Sequence, residues 1–360
     1  MHQKKSQLNP GAPRAPGRFR AILRAPAGRI TNQTLLAALV LVFGTGVATV
    51  AIGSSSGRWA AIAHGIAGLV ILLLVPWKSR VVRGGLRRGR PTRWVSLLLA
   101  ALVVITFGAG LGYATGLVRS IAGYPGLWVH IAVALVLVPL VLWHIVARRI
   151  RPRRSDLSRR TFLRAGLLGA GAAGLYFAAA GAVRLGGLPG ARRRFTGSYE
   201  TGSFDPDAMP TTSWLVDPVP AVDPDRWRLT VVDGAGRYQL GLDELAASGV
   251  RLRATLDCTS GWYARQDWSG VPVSALLRST GQARSLLVHS VTGYWIRLPV
   301  SDVGRLLLAT GVGGAPLSAG HGYPLRLIAP GRRGYWWVKW VDRIELQATP
   351  WWWQPPFPVT

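Results

Sequence analysis

Five long apolar runs constrain the fold of this chain more than any other feature of its 360 residues. A run of about 20 apolar residues spans a bilayer as a helix. Four runs reach that length, at residues 33–53, 59–77, 94–116 and 127–146. A fifth run, residues 162–183, is rich in Gly and Ala. The sequence therefore predicts an N-terminal all-α transmembrane helical bundle, followed by a domain of a different kind.

The basic residues lie between these apolar runs. Residues 1–189 contain 25 Lys and Arg and one acid, Asp156, whereas residues 190–360 contain 18 basic and 14 acidic residues. The clusters fall in the N-terminal tail and in the loops 78–93 and 148–164. Cytoplasmic loops carry the excess of Lys and Arg in membrane proteins. We therefore expect a multi-pass protein of the plasma membrane, with its C-terminal domain on the extracytoplasmic side.

A nucleic acid is the usual alternative partner for so basic a chain. The regular alternation of basic clusters with bilayer-length apolar runs argues against it, and the lipid bilayer is the expected surrounding. The predicted organisation has four parts. They are a basic cytoplasmic tail (1–30), a four-helix transmembrane domain (31–150), a fifth membrane helix with its preceding segment (151–190), and an α+β domain (191–360).

The segment before the fifth apolar run contains an export motif. Ser158-Arg-Arg-Thr-Phe-Leu-Arg164 matches the twin-arginine pattern S-R-R-x-F-L-K, with Arg in the last place, and an apolar stretch follows. This predicts the twin-arginine translocase, which carries folded proteins, as a partner. The alternative is a cytoplasmic basic cluster in which two arginines are adjacent by chance.

The α+β domain contains the only cysteine, Cys258, at the end of an alternating strand pattern over residues 251–257. A single thiol cannot form an intrachain disulfide, so it is either a small buried hydrophobe or a group that chemistry requires. Its run is TLDCTSGWY, from Thr255 to Tyr263. A second run, HGYPLRLIAPGRRGYWWVKW, begins at His321.

Together these two runs resemble the cysteine segment and the pterin segment of the sulfite oxidase family, over residues 196–348. The resemblance implies a molybdopterin cofactor whose molybdenum takes Cys258 as its protein thiolate ligand. It also implies that His321, Arg326 and Lys339 hold the pterin, with Gly322 and Gly334 allowing a close backbone approach. The short form resembles the periplasmic branch of the family, which includes a methionine-sulfoxide reductase.

Two further residues are candidates for the substrate pocket. Tyr294 occupies a position that resembles the tyrosine near the metal in sulfite oxidases, and its phenol could donate to substrate. It is equally an ordinary strand tyrosine. Arg265 follows Cys258 closely and is expected to face the pocket. No cluster of arginines can be assigned around a substrate oxyanion, which argues against sulfite.

His64 and His130 lie at similar depths near the outer ends of the second and fourth apolar runs. Histidine inside a membrane is rare and is usually functional. Two imidazoles on facing helices can ligate one haem iron, and small neighbours such as Gly65 and Gly68 are expected to leave room for it. The sequence thus predicts one haem b in an anchor that resembles cytochrome b561. Hydrogen-bonding histidines or a quinone site are the alternatives.

These predictions combine into a membrane-bound molybdenum-dependent oxidoreductase. It would transfer an oxygen atom to or from a small substrate, for example a sulfoxide, and exchange two electrons with the quinone pool or another membrane carrier. A sulfite-type dehydrogenase that feeds quinone is the reverse alternative. A non-catalytic electron-transfer subunit, or a hydrolase that uses Cys258 as nucleophile, stays open.

Overall fold

A computed structural model describes residues 28–86, 93–147, 156, 158–212, 218–247 and 249–354 of the chain. Five long helices occupy the N-terminal half: α1 (Gly28–Ala51), α2 (Gly57–Leu86), α3 (Arg93–Thr115), α4 (Gly126–Ala147) and α5 (Arg159–Leu185). Each is long and apolar enough, by length and composition, to cross a membrane. The five predicted helices are therefore present, with ends within a few residues of the predicted ones except where α2 is longer. Predictions for residues 1–27, 87–92 and 148–155 lie outside the described residues.

The first part of the predicted loop, residues 78–86, is helical instead, because α2 continues to Leu86. Lys and Arg are good helix formers, so a change from apolar to basic residues does not by itself end a helix. Lys78 also donates a hydrogen bond from Nζ to Asn32 Oδ1 on α1, at 2.8 Å.

The helices pack as two pairs, α1 with α2 and α3 with α4, with α5 against α2 and few contacts between the pairs. The small residues that were expected to leave room for a haem are already covered by aromatic rings. A Cβ at Gly65 would overlap the ring of Tyr176 on α5, and one at Gly68 would lie 3.7 Å from Phe107 Cε1. The two glycines therefore face aromatic side chains of other helices rather than open space.

The C-terminal domain is built from two β-sheets with short helical segments, after a two-strand hairpin of β1 (Ser120–Ile121) and β2 (Tyr124–Pro125) between α3 and α4. The strands of the domain are β3 (Tyr199–Glu200), β4 (Leu229–Asp233), β5 (Gly236–Leu240), β6 (Val250–Asp257), β7 (Trp262–Pro272), β8 (Ser285–Ser290), β9 (Trp295–Pro299), β10 (Leu307–Val312), β11 (Ala315–Pro316), β12 (Arg326–Ile328) and β13 (Val341–Gln347). The short helices are α6 (Leu242–Ala246) and α7 (Val273–Leu276).

One sheet has the order β5-β4-β13-β8-β9, in which β4 and β13 are parallel. The other has the path β11-β10-β7-β3, with β12 on β10 and β6 on β7. A single core contains residues from both sheets and includes the edge-to-face pair Trp268 and Trp337, whose ring centroids lie 5.8 Å apart. The mixed α and β domain predicted from the sequence is thus present.

Two segments of this domain depart from their local sequence pattern. The pattern of residues 266–277 predicts a turn and then a short helix; the structure continues strand β7 to Pro272 in place of the turn and then forms the short helix α7. The pattern of residues 301–309 predicts a helix; the structure has a 3-10 turn over Val300–Arg305 and then strand β10. A short, continuous apolar run such as residues 306–309 does not distinguish a buried strand from a buried helix.

The helices contact the domain at one end of the bundle. Tyr113, near the end of α3, donates a hydrogen bond to the carbonyl oxygen of Gly261 at 2.9 Å and accepts one at its own carbonyl from the Tyr199 hydroxyl at 2.6 Å. Gly53, just after α1, packs so closely that a Cβ would lie 2.7 Å from the carbonyl carbon of Arg332. The loop that follows Cys258 therefore contacts the helical bundle directly.

Candidate functional site

Cys258 lies at the turn between β6 and β7, where the two strands form a long antiparallel hairpin. Its amide donates to the Trp262 carbonyl at 2.9 Å, and Gly261 completes the turn with a φ of 96°, a left-handed value that favours glycine. The Ser260 hydroxyl donates to Cys258 Sγ at 3.1 Å. Among the described residues, no three or more His, Cys, Asp or Glu side chains are grouped so that they could hold a metal ion. Cys258 is the thiol that this turn presents to a ligand.

A buried carboxylate fixes the backbone beside the cysteine. Asp257, only 2% exposed, accepts hydrogen bonds from Ser198 Oγ at 2.6 Å and Thr196 Oγ1 at 2.8 Å, and it forms ion pairs with Arg194 and the 1% exposed Arg333. Arg333 also donates to the Cys258 carbonyl at 3.3 Å. Sequence reasoning missed this network, because its members come from three separate segments and Asp257 and Arg333 alone lie 76 residues apart. The only sequence signal was the acid that directly precedes the cysteine.

Five other predicted site residues line one cavity with Cys258: Tyr294, His321, Arg326, Gly334 and Lys339. The structure therefore brings the cysteine segment and the pterin segment together, although residues 264–320 separate them in sequence. Thr211, Thr212 and Trp262 complete much of the remaining wall. Arg326 is the only arginine among the described residues that line the cavity.

Arg326 is the strongest indication of an anionic ligand. It is 6% exposed, and its Nη1 donates to the His321 carbonyl at 2.9 Å, but no described carboxylate pairs with it and its buried Nε has no partner. Burial lowers the pKa of Arg326 to about 10, against the opposing effect of the Cys258 thiol. A buried guanidinium without a counter-charge is costly. The site therefore fits a group that brings a phosphate, as a pterin cofactor does.

His321 and Lys339 shape the wall of the cavity. His321 Nε2 lies 3.0 Å from the Met209 carbonyl and Nδ1 lies 2.8 Å from Ser318 Oγ, so both ring nitrogens have partners. Burial lowers the pKa of His321, which favours the neutral ring, with Nε2 donating and Nδ1 accepting. Lys339 Nζ donates to the Gly320 carbonyl at 2.9 Å and lies 4.4 Å from the centre of the Trp340 ring.

The two predicted glycines allow close packing of backbone. Gly322 has a φ of 111°, which favours glycine, and a Cβ there would lie 3.1 Å from Lys339 Cβ. A Cβ at Gly334 would lie 3.0 Å from Cys258 Cα, so this glycine lets the pterin segment pack on the cysteine segment. Tyr294 is 8% exposed, and its hydroxyl donates to the Tyr335 carbonyl.

Arg265 does not line this cavity. Its neighbours on β7, Ala264 and Gln266, are both fully buried, so strand alternation directs Arg265 to the opposite face. There its Nη2 lies 3.7 Å from Glu200 Oε1, and it lines a second cavity beside Arg194, Arg253 and Arg332. The expected position next to the substrate is therefore not observed.

The structure places His64 on α2 next to His130 on α4. Their ring centroids are 6.0 Å apart and the ring planes make an angle of 85°. His64 Nδ1 lies 2.9 Å from the Val42 carbonyl on α1, and His130 Nδ1 lies 2.8 Å from the Thr106 carbonyl on α3. Because a carbonyl only accepts hydrogen bonds, each Nδ1 carries the proton. This leaves each Nε2 with a lone pair that can ligate a metal.

Each histidine ring sits against a glycine, which sequence reasoning missed. Gly46 lies four residues after Val42, and a Cβ there would be 3.2 Å from His64 Cε1. Gly110 lies four residues after Thr106, and a Cβ there would be 2.8 Å from His130 Nδ1. The same arrangement therefore occurs in both helix pairs. Its sequence signal is a glycine in the first helix of each pair, with a histidine about twenty residues later.

Residues 216–353 match the family model described as an oxidoreductase molybdopterin binding domain. Human mitochondrial sulfite oxidase is 27% identical over 167 residues, which are 36% of this chain and 31% of that protein. An uncharacterized oxidoreductase of Bacillus subtilis, YuiH, is 29% identical over 163 residues, which are 41% of this chain and 81% of that protein. The chain thus spans about a third of the length of the sulfite oxidases it matches.

A weaker structural similarity, with a TM-score of 0.34 and 22% identity, is to the sulfane dehydrogenase SoxCD from Paracoccus pantotrophus, over 36% of this chain and 40% of that one. It is too distant to carry any inference. Residues 216–353 match a molybdopterin-binding oxidoreductase domain, and the chain is similar to sulfite oxidases. The predicted oxidoreductase class and the molybdenum cofactor are thereby confirmed at the level of this domain.

Proposed function

We propose that this protein is a membrane-bound molybdenum-dependent oxidoreductase that transfers an oxygen atom to or from a small, uncharged substrate. The observation that carries the proposal is the single cavity shared by Cys258, Arg326 and Lys339. When bound, the molybdopterin cofactor supplies two-electron oxygen-atom transfer at its metal. The protein supplies the ligand, the counter-charges and the shape of the pocket.

Each residue of the cavity has a role that follows from its contacts. Cys258 is the thiolate ligand, and Ser260 donates to its sulfur at 3.1 Å, which stabilises negative charge there. The ion pair of Asp257 and Arg333 fixes the backbone that carries the thiolate. Arg326 holds the phosphate of the cofactor, and His321 orients Arg326 through its carbonyl oxygen.

The lining favours an uncharged substrate such as a sulfoxide. Tyr294 and Thr212 are neutral polar groups, and Arg326 is the one arginine in the described lining, already assigned to the cofactor. Sulfoxide reduction would consume two electrons and two protons and give a sulfide and water. Oxidation of a quinol to a quinone releases those two electrons and two protons. The reverse reaction, a sulfite-type dehydrogenase that reduces quinone, is the second candidate, since several relatives are named sulfite oxidase.

The helices form the membrane part of this electron chain in the proposal. Five helices are long and apolar enough to span a bilayer, and Tyr113 contacts the loop that follows Cys258. His64 and His130 would ligate one haem b through their Nε2 atoms, between the two helix pairs. The support is the 6.0 Å ring separation, the two Nδ1 hydrogen bonds and the sparse contact between the pairs.

Export by the twin-arginine translocase and an extracytoplasmic domain complete the proposal. Ser158 has a structural role as well, because it caps α5 by accepting from the Thr161 amide at 3.3 Å. The export proposal therefore depends on Arg159 and Arg160. Replacing both with Lys keeps the charge and should leave the C-terminal domain inaccessible to protease added outside the cell. Unchanged cleavage of the double variant would contradict it.

The first experiment is metal analysis with a visible spectrum on the full chain purified in detergent. We expect about one molybdenum per chain, from the single cysteine ligand, and a reducible b-type Soret band. Cys258→Ser should lose turnover and keep the fold, whereas Ser260→Ala should keep the metal. Protein that carries no molybdenum, from a host that makes the cofactor, would overturn the central proposal. Molybdenum without a Soret band would overturn the haem alone.

A further inference from the structure

A second cavity, of about 280 Å³, lies between the end of the helical bundle and the C-terminal domain. Four arginines converge on it from separate segments: Arg194, Arg253, Arg265 and Arg332. Gly53, just after α1, forms part of its wall and packs on the backbone of residues 331–333. The cavity therefore exists only where the two regions meet, level with the end of a helix that can span a membrane.

The charges around this cavity do not balance. Asp257 is the one carboxylate in the described lining, and both of its oxygens already accept from Arg194, Arg333 and two hydroxyls. Arg253 pairs with Asp267, and Arg332 shares Asp302 with Arg305. With Arg265 and Glu200, the surrounding set contains six guanidinium groups and four carboxylates, a surplus of two positive charges.

Arg265 is the donor that is best placed to receive a ligand. Its nearest carboxylate oxygen, Glu200 Oε1, lies at 3.7 Å, and its guanidinium makes no hydrogen bond within the described part of the chain. Guanidinium groups bind phosphate oxygens with pairs of parallel hydrogen bonds. The cavity volume is roughly nine times the 30 Å³ that a water molecule occupies in the liquid, so a phosphate group fits together with a few waters.

We propose that this arginine cavity binds a phosphate-type oxyanion, and that in the membrane the headgroup of an anionic phospholipid supplies it. Bound there, the anion contacts the C-terminal domain and lies beside the end of α1, so it stabilises the docked arrangement of the two regions. The site is distinct from the cavity around Cys258, and the inference does not depend on the catalytic proposal. It also gives Arg265 a role on the face where the structure places it.

The test uses the full chain, purified in detergent and stripped of lipid, with thermal unfolding of the C-terminal domain as readout. One arm adds inorganic phosphate against sodium chloride of equal ionic strength. The other adds phosphatidylglycerol against phosphatidylcholine in mixed micelles. We expect a saturable rise of the unfolding midpoint. The double variant Arg253→Gln with Arg265→Gln should bind more weakly, so its half-saturating concentration should rise about tenfold or more. Arg265→Gln alone provides the test if the double variant does not accumulate.

The matched control removes the same charge from elsewhere on the domain, by Arg226→Gln with Arg237→Gln, both exposed. It should respond as the unsubstituted protein does. A response to both probes supports the proposal and shows that free phosphate is sufficient. A response to phosphatidylglycerol only supports the proposal and shows that the lipid is required. A response no larger than that to chloride, or one that the Arg253 and Arg265 substitutions leave unchanged, overturns it.

Discussion

The cysteine site and the histidine pair are held in place by different kinds of interaction. Cys258 sits beside a buried network of side chains from distant segments, centred on the ion pair of Asp257 and Arg333. His64 and His130 are held by two backbone carbonyls and two glycines, with no charged partner among the described residues. The first site depends on charges, and the second depends on the shape of helices.

The membrane environment proposed for the helices accounts for this difference. In a bilayer an unpaired polar side chain has no water to bond, so backbone groups that are already in helices are the available partners. A carbonyl oxygen has two lone pairs, and the helix uses one of them. Val42 and Thr106 can therefore each accept one more hydrogen bond from a histidine. In the domain the burial of Asp257 is offset only by several charged and hydroxyl donors. The two sites should consequently respond to different substitutions.

Asp257→Asn should have the largest effect, because it leaves Arg333 buried without its counter-charge. Breaking a buried ion pair costs about 3–5 kcal/mol. We expect a loss of that order in the free energy of unfolding of the C-terminal domain, measured by chemical denaturation. Asp267→Asn is the matched control, since its pair with Arg253 is exposed and exposed ion pairs contribute little to stability. Equal losses in both variants would contradict the view of Asp257 as the centre of the site.

Arg326→Met should leave the cofactor-free protein at least as stable and should weaken binding of the cofactor. In cofactor-free protein it removes a buried, unpaired guanidinium, so the unfolding midpoint should rise or stay constant. In protein from a host that makes the cofactor, bound molybdenum should fall about tenfold to a hundredfold, because charge-assisted hydrogen bonds to a phosphate are lost. Midpoint and metal content are measured on the same preparations. Full molybdenum content in the variant would show that Arg326 does not hold the cofactor.

Gly110→Ala tests the shape of the histidine site. The added methyl would lie 2.8 Å from His130 Nδ1, so the ring must move, at a cost of about 1–3 kcal/mol. We expect loss of the b-type spectrum with unchanged molybdenum content. Gly108→Ala is the control on the same helix, because a Cβ there meets nothing within 4 Å. If Gly110→Ala keeps the same b-type spectrum as Gly108→Ala, His130 does not ligate a haem.

The sequence predicted what depends on local pattern and motif. The five apolar runs became α1 to α5, and the two motifs placed Cys258, His321 and Arg326 in one cavity. It did not predict what depends on chain geometry between segments. Asp257 and Arg333 meet across 76 residues, and strand alternation directs Arg265 away from the cavity. The glycines that contact the two histidines, Gly46 and Gly110, cannot be recognised from the sequence until the pairing of the helices is known.

Tyr113→Phe should have the smallest effect, and it tests whether the two regions are coupled at all. The substitution removes the 2.9 Å hydrogen bond to the Gly261 carbonyl but keeps the ring against Tyr199, whose centroid is 5.3 Å away. A single hydrogen bond contributes about 0.5–1.5 kcal/mol, so amide hydrogen exchange over residues 259–263 should speed up roughly twofold to tenfold.

Tyr124→Phe, at the exposed turn before α4, is the control for loss of a phenol and should leave exchange in that loop unchanged. Tyr113→Phe is then compared with Asp257→Asn. If the first speeds exchange in the cysteine loop and the second leaves exchange in the helices unchanged, the two regions are coupled through the hydrogen bond at the end of α3. The cysteine site and the histidine pair would then be separately stable. Unchanged exchange in the Tyr113 variant would mean that the remaining packing of Gly261, against the ring of residue 113 and against Leu127, is sufficient to hold the cysteine loop.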